Sequence, residues 1–194
     1  MFLIDKHSWE TRMTAEKDLG IFAKKAIKRG VVIGDYLGKV IQTAEYELEN
    51  DKRCLYLMYF SDTASIYPNL KKPGIHLFNH SCEPNCWIYT YKGHTLFFAL
   101  RKIKPGEEFT IPYLLSPKDE TCKPCTHICK CNSQFCTGTM HLSQVKYEKW
   151  QNFQNKLKKE TKTPKVVFGK NLPKLTSYPR LIPNNPIYRI ITNN

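Results

Sequence analysis

The sequence predicts a mainly β domain with irregular connections. Three observations carry this. Residues 20–41, GIFAKKAIKRGVVIGDYLGKVI, hold short apolar runs (Ile21–Ala23, Val31–Ile33, Val40–Ile41) broken by Gly20, Gly30, Gly34 and Gly38. Residues 86–100, CWIYTYKGHTLFFAL, are two aromatic and β-branched runs around Lys92-Gly93, the pattern of a hairpin. Helical spacing is confined to one short stretch near residue 43 and a longer one beyond residue 140.

Taken in order, Thr43 caps a short helix over AEYELEND, and LYLMYF at 55–60 reads as a buried strand. The following SDTASIYPNLKKPG reads as a loop, rich in Ser, Pro and Lys. Lys104-Pro105-Gly106-Glu107 is a turn, and EEFTI after it is one more strand. Pro112 ends that strand because proline has no amide to donate, which leaves Tyr113 just past a strand end, where side chains can face a cleft. Leu142, Val145, Trp150, Phe153 and Leu157 then mark an amphipathic helix with Ser143 as its N-cap. Five prolines between 164 and 186 rule out one regular element beyond it. Apolar residues near the end (Leu181, Ile182, Ile187, Tyr188, Ile190, Ile191) imply that part of this stretch packs.

The chain has 194 residues, the size of one domain with a tail. Hydrophobic residues at 41% and charged residues at 24% are globular values. No apolar run reaches membrane-spanning length, and MFLIDKHSWE does not read as a secretory signal. The net charge is +13, of which residues 141–194 carry +9, from nine Lys and two Arg against two Glu. Such a tail either contacts phosphate or acidic surfaces or is simply a solvated, lysine-rich terminus. Eight cysteines without a secretory signal point to metal rather than disulfides, and five of them fall within 122–136. Cys129, Cys131 and Cys136 need a fourth ligand for a closed tetrahedral site. Cys122-x2-Cys125 is a second pair with zinc-ligand spacing, either completed by Cys54, Cys86 or His127 or a pair of free thiols.

The most specific stretch is Asn79-His80-Ser81-Cys82-Glu83-Pro84-Asn85-Cys86. It resembles the Asn-His-Ser-Cys-x-Pro-Asn signature of SET-domain protein lysine methyltransferases. Residues 20–41 resemble the family's opening glycine-rich segment and its Glu-Tyr-x-Gly strand. FALRKIKPGEEFTIPY resembles its Glu-Glu-Leu-Thr-x-x-Tyr ending, and CKCNSQFCTGTM its post-SET Cys-x-Cys-x4-Cys-x-Gly segment. The four motifs occur in family order across residues 12–140. The resemblance implies a SET fold of several small β-sheets with a pseudoknot at 12–115 and a post-SET zinc segment at 120–140; the amphipathic helix and basic, proline-containing tail at 141–194 follow from spacing and charge alone.

It further implies methyl transfer from S-adenosyl-L-methionine to a protein lysine. Cofactor contacts fall on Leu19, Gly20, Ile21, Phe22, Asn79 and His80, with Asp18 where the family usually has its first glycine. Zn2+ falls on Cys82, Cys129, Cys131 and Cys136. Tyr113 matches the catalytic tyrosine and Tyr36 the second tyrosine of the lysine channel, while Tyr56, Tyr59 and Tyr67 read as structural. Ile111 stands at the position that tunes methylation number and, being aliphatic, leaves room for di- or trimethylation. His76-Leu77-Phe78 and Ile111-Pro112 depart from the family pattern.

The implied partner is a lysine-bearing protein or peptide, such as a histone tail. The insert at 43–66 forms one wall of its groove, with Glu45, Glu47, Glu49 and Asp51 facing either the substrate or solvent. The tail suggests added DNA or nucleosome contact, and no membrane is implied. The setting is intracellular, in the nucleus of a eukaryote, or otherwise cytoplasmic or delivered to a host. Two other readings are a catalytically degenerate SET module that recruits partners and a zinc-dependent nucleic-acid-binding protein.

Overall fold

The computed structural model describes residues 1–42, 56–120, 122–160 (side chains to 156) and 164–182. The helix expected over 44–51 and the acidic residues in it lie outside the described residues. Among the described residues, ten short strands are β1 (Trp9–Met13), β2 (Leu19–Ala23), β3 (Val32–Asp35), β4 (Lys39–Gln42), β5 (Met58–Ser61), β6 (Ala64–Tyr67), β7 (Asn79–His80), β8 (Cys86–Tyr91), β9 (His94–Ala99) and β10 (Thr110–Ile111). The helix α1 spans Gln144–Glu160. The strands form four small sheets: β1-β2, β3-β9-β8, β4-β6-β5 and a parallel pair, β7-β10. The mainly β expectation holds.

The β8–β9 hairpin is the one its sequence predicts. Tyr91 pairs with His94, and Lys92 and Gly93 both have positive φ, 49° and 77°. That is the two-residue turn whose twist matches right-twisted strands. The sheet is buried on both faces, which explains the unbroken apolar run Leu96-Phe97-Phe98-Ala99. Phe97, Ala99 and Ile33 face the main core with Ile21, Ile66, Phe78 and Phe109. Val32, Trp87, Leu96 and Phe98 face a second core, against which Leu142, Trp150, Phe153 and Tyr178 pack. Each fully buried large apolar side chain contributes about 1.5–3 kcal/mol.

Helix α1 therefore docks through Trp150 and Phe153. Ser143 accepts from the Lys146 amide at 3.4 Å, as a cap should. Val145 corrects the helical pattern: it is 61% exposed, on the solvent side. Two further expectations are corrected. The strand expected at 55–60 is β5 at 58–61, and it is only half-buried. The expected loop at 61–74 contains β6, the buried central strand of its sheet. Ala64 and Ile66 are buried in the main core, with Ser65 between them, and β6 is flanked by β4 and β5 on its two edges.

Residues 164–182 run back over the body as a strap. Leu172 donates to the Gly38 carbonyl at 2.8 Å and Ile182 to that of Gly30 at 2.7 Å, and both side chains are buried. Pro164 packs so closely on Gly93 that no Cβ fits there. Tyr178 donates to Asp35 Oδ2 at 2.9 Å. Leu181, counted among the packing residues, is instead 58% exposed. No helix among the described residues is long and apolar enough to cross a membrane.

Candidate active site and metal centres

The β1–β2 hairpin and the parallel β7-β10 pair meet at Gly20. Asn79 Nδ2 donates to the Leu19 carbonyl at 3.2 Å and to Glu108 Oε1 at 2.7 Å. Lys17 Nζ binds the other Glu108 oxygen at 2.6 Å. A Cβ on Gly20 would stand 2.6 Å from Glu108 Oε1 and 3.1 Å from Asn79 Nδ2, so only glycine lets these groups crowd the backbone. Asp18 has φ of 57°. The left-handed region is where glycine is favoured and where Asp is among the better-tolerated alternatives. That is why this chain accepts Asp18 where glycine would be expected.

The two remaining residues of this segment point elsewhere. Ile21 is fully buried in the main core, and the Phe22 ring lies under the Arg12 guanidinium at 3.9 Å. Lys17 and Glu108 were not anticipated. Glu108 lies inside the motif that ends at Tyr113, and its acidic character beside a turn was the available signal.

His80 is 7% exposed and joins three elements. Its Nδ1 accepts the Tyr113 amide at 3.1 Å. The proton of the neutral ring therefore sits on Nε2, which faces Cys82 Sγ at 3.6 Å. Burial, and then Lys17, push its pKa down to about 4, so it is neutral near pH 7.

Tyr113 follows β10. Its hydroxyl donates to the Phe78 carbonyl at 3.2 Å. Burial, then Tyr56 and Glu108, push its pKa well up, so the phenol stays protonated. Tyr36 is 4% exposed and donates to the Tyr56 carbonyl at 2.6 Å. Tyr56 thus touches Tyr36 directly and bears on Tyr113, a placement its sequence context did not signal. It also stands edge-on to His76, with centroids 5.6 Å apart. Ile111 is buried in the main core beside β7.

The ligand atoms of Cys82, Cys129, Cys131 and Cys136 lie within 4.8 Å of one another. Cys82 and Cys129 sulfurs are 3.7 Å apart, against about 3.8 Å for two thiolates on one tetrahedral zinc. Burial and the surrounding thiols push Cys129 up. Burial alone would raise Cys131 too, but donors from Ser133, the Cys82 backbone and Cys129 hold it at about 6. Four soft ligands with one readily ionised thiol are the donor chemistry of a closed structural zinc site.

The second pair, Cys122 and Cys125, gathers His127 and also His141, which was not anticipated. Cys86, one expected partner, is fully buried in the core and donates to Asn85 Oδ1 at 3.3 Å. Cys54 lies outside the described residues. A cavity of about 1270 Å³ separates the 80–87 stretch from residues 125–146, and its lining includes His80, Cys82, Leu114, Cys136, His127 and His141. Gly20, Asn79, Lys17 and Glu108 are not among its lining residues.

A SET-domain family profile matches residues 18–114, half of the chain. The chain belongs to the SET-domain family. It is 31% identical over 148 residues, 68% of its length, to the histone-lysine N-methyltransferase ash1 of Drosophila melanogaster. It is 32% identical over 127 residues, 60% of its length, to the histone-lysine N-methyltransferase trithorax of Drosophila virilis. To the histone-lysine N-methyltransferase, H3 lysine-36 specific, of Mus musculus it is 29% identical over 135 residues, 64% of its length. The matched stretches span only 6%, 3% and 5% of those much longer relatives. Within this SET domain the Asn79–Cys86 signature supplies both the His80 contact to Tyr113 and the first sulfur of the four-cysteine cluster.

Proposed function

We propose that this SET domain transfers a methyl group from S-adenosyl-L-methionine to the ε-amine of a lysine in a basic protein such as a histone. The observation that carries the reading is the state of Tyr113. Its hydroxyl is committed as a donor to Phe78 and is kept protonated by burial. Its oxygen lone pairs are what remain to accept an N–H from a substrate amine.

Gly20, the Leu19 carbonyl, Asn79 and His80 would hold the cofactor, and Ile21 and Phe22 would keep their strand in place. The cradle at Gly20 supports this, since it brings an amide, a carboxylate and an ammonium around one Cβ-free backbone position. Glu108 and Lys17 have charges opposite to the amino and carboxylate ends of an amino acid. When bound, the cofactor supplies an electrophilic methyl on a sulfonium, which an amine displaces in line.

A lysine amine has pKa about 10.4 in water and must lose its proton to act as a nucleophile. An apolar channel favours the neutral amine. Tyr113, unable to ionise near neutrality, does not serve as the base; it orients the amine by accepting its N–H. Tyr36 narrows the same channel, and fixing the amine in this way accounts for much of the rate gain in such transfers. Ile111 adds no hydroxyl that would hold a water, which favours repeated methylation. Zn2+ on Cys82, Cys129, Cys131 and Cys136 would tie the post-SET segment to the signature strand. The exposed Lys165, Lys170, Lys174 and Arg180 of the strap would add DNA or nucleosome contact. A histone substrate would place the protein in a eukaryotic nucleus.

The test offers core histones and nucleosomes to the purified chain with labelled S-adenosylmethionine, beside Tyr113→Phe. The expected result is label recovered as methyl-lysine, reduced about 100-fold or more by the substitution, with folding and zinc content unchanged. Equal labelling by both proteins would overturn the role of Tyr113. A folded, zinc-loaded protein that fails to bind the cofactor would overturn the enzyme reading in favour of a recruiting module.

A further inference from the structure

We propose that Cys122, Cys125, His127 and His141 form a second structural zinc site, separate from the four-cysteine cluster. The four ligand atoms lie within 4.8 Å of one another. Cys122 Sγ is 3.5 Å from His127 Nδ1 and 3.4 Å from His141 Nε2. Cys125 Sγ is 3.5 Å from His141 Nε2, and the two imidazole nitrogens are 3.2 Å apart. Tetrahedral zinc with Zn–S of about 2.3 Å and Zn–N of about 2.0–2.1 Å requires separations of about 3.6 Å between S and N and about 3.3 Å between two nitrogens. The observed set fits that cage.

A hydrogen-bonded cluster accounts for it less well. His141 Nδ1 donates to the Ser116 carbonyl at 2.6 Å, so Nε2 of the neutral ring carries a lone pair. That single lone pair faces two sulfurs and the Nδ1 of a second imidazole. One cation at the centre satisfies all four groups together. The Ser116 contact is also the outer hydrogen bond that metal-bound histidines ordinarily make, fixing tautomer and ring direction.

The backbone brings the ligands together through its own hydrogen bonds. His141 forms a parallel bridge with Leu115, two residues after Tyr113, and Leu142 donates to the Leu115 carbonyl at 3.0 Å. Met140 donates to the His127 carbonyl at 3.0 Å, which sets the two histidines edge to face, 4.9 Å between centroids. No ligand is shared between the two clusters. With two thiolates and two neutral imidazoles the site is electrically neutral when loaded, and all four positions come from protein, so it is closed and structural rather than catalytic. Its consequence is mechanical: it clasps the segment leaving Tyr113 to the start of α1 and stiffens one wall of the cavity. None of this depends on methyl transfer.

The full chain, purified under reducing conditions, would be measured for zinc by elemental analysis and X-ray absorption. The expected result is about two zinc per chain, with an average shell of about three sulfurs and one nitrogen. Cys125→Ser and His141→Ala should each remove about one zinc, whereas His141→Cys should keep it and shift the shell toward sulfur. Because X-ray absorption reads the wild type, the test stands even where a variant fails to fold. One zinc per chain in an all-sulfur shell would overturn the proposal. So would a Cys122–Cys125 disulfide, found by peptide mass under non-reducing conditions in metal-free protein that zinc cannot reload after reduction.

Discussion

The amide of Tyr113 donates to Nδ1 of His80 at 3.1 Å, and the opposite nitrogen of the same ring faces Cys82 Sγ at 3.6 Å. One imidazole therefore spans the backbone of the candidate catalytic tyrosine and a candidate zinc ligand. The four-cysteine cluster and the tyrosine are mechanically linked through a side chain that is neutral near pH 7.

Replacing His80 by Ala strips both contacts. Zinc held by the four-cysteine cluster should weaken about 10–100-fold, the usual effect of losing an outer hydrogen bond. The rate of transfer and cofactor affinity should fall with it, because the Tyr113 backbone loses its anchor and His80 is among the residues that would hold the cofactor. Chelator competition and kinetics on His80→Ala check this. Unchanged zinc retention would show that the ring only fills space.

At the cradle, two neighbouring positions should respond in opposite ways. Gly20→Ala forces a Cβ against Glu108 and Asn79, and cofactor affinity should drop at least about tenfold, measured by calorimetry. Asp18→Gly removes a side chain from a left-handed backbone. Its stability should stay level or rise by up to about 1 kcal/mol. A clear loss of stability would mean that the Asp18 carboxylate makes a contact worth more than the backbone relief.

The strap is held at Tyr178, whose hydroxyl donates to the fully buried Asp35, which His94 also binds at 2.8 Å. Tyr178→Phe removes one of the two donors on that oxygen. The expected loss is about 1.5–3 kcal/mol, as for hydrogen bonds to charged groups, read as a lower urea midpoint. Hydrogen exchange should rise first in residues 170–182.

His76 carries a pH prediction. Burial, and then the N-terminal ammonium, lower its pKa to about 4 from an ordinary value of 6.5. The unfolded chain therefore binds the proton more readily than the folded one. Stability should fall as pH drops from about 6.5 to about 4 and change little from this cause above 7. His76→Gln should make that part of the wild-type curve shallower, with His80, lowered to about 4 by its own burial, supplying the rest. Identical curves would place the acid sensitivity in His80 and the cysteine clusters.

Legibility followed how local each feature is. Lys92-Gly93 marked its turn because two positive φ values are a property of two residues. The site residues clustered where four short motifs could be matched, and Tyr113 was placed just past a strand end by the proline before it. The strand β6 was missed because its partners β4 and β5 and the core that buries it lie outside a window of four residues. Lys17 and Glu108 were missed for the same reason: they are 91 residues apart and meet only across Gly20.

Composition, turn chemistry and motif order by themselves determined a mainly β chain, its family resemblance and the close-spaced trio Cys129, Cys131 and Cys136, with Cys82 added only by that resemblance. These are short-range facts, because period, turn type and ligand spacing are written in neighbouring residues. The tertiary structure alone decided that His141 joins Cys122 and Cys125, that the proline-rich segment closes as a strap on Asp35, and that His80 links Tyr113 to Cys82. Each is a contact between distant parts of the chain, and such contacts depend on how sheets pack, which no local pattern encodes.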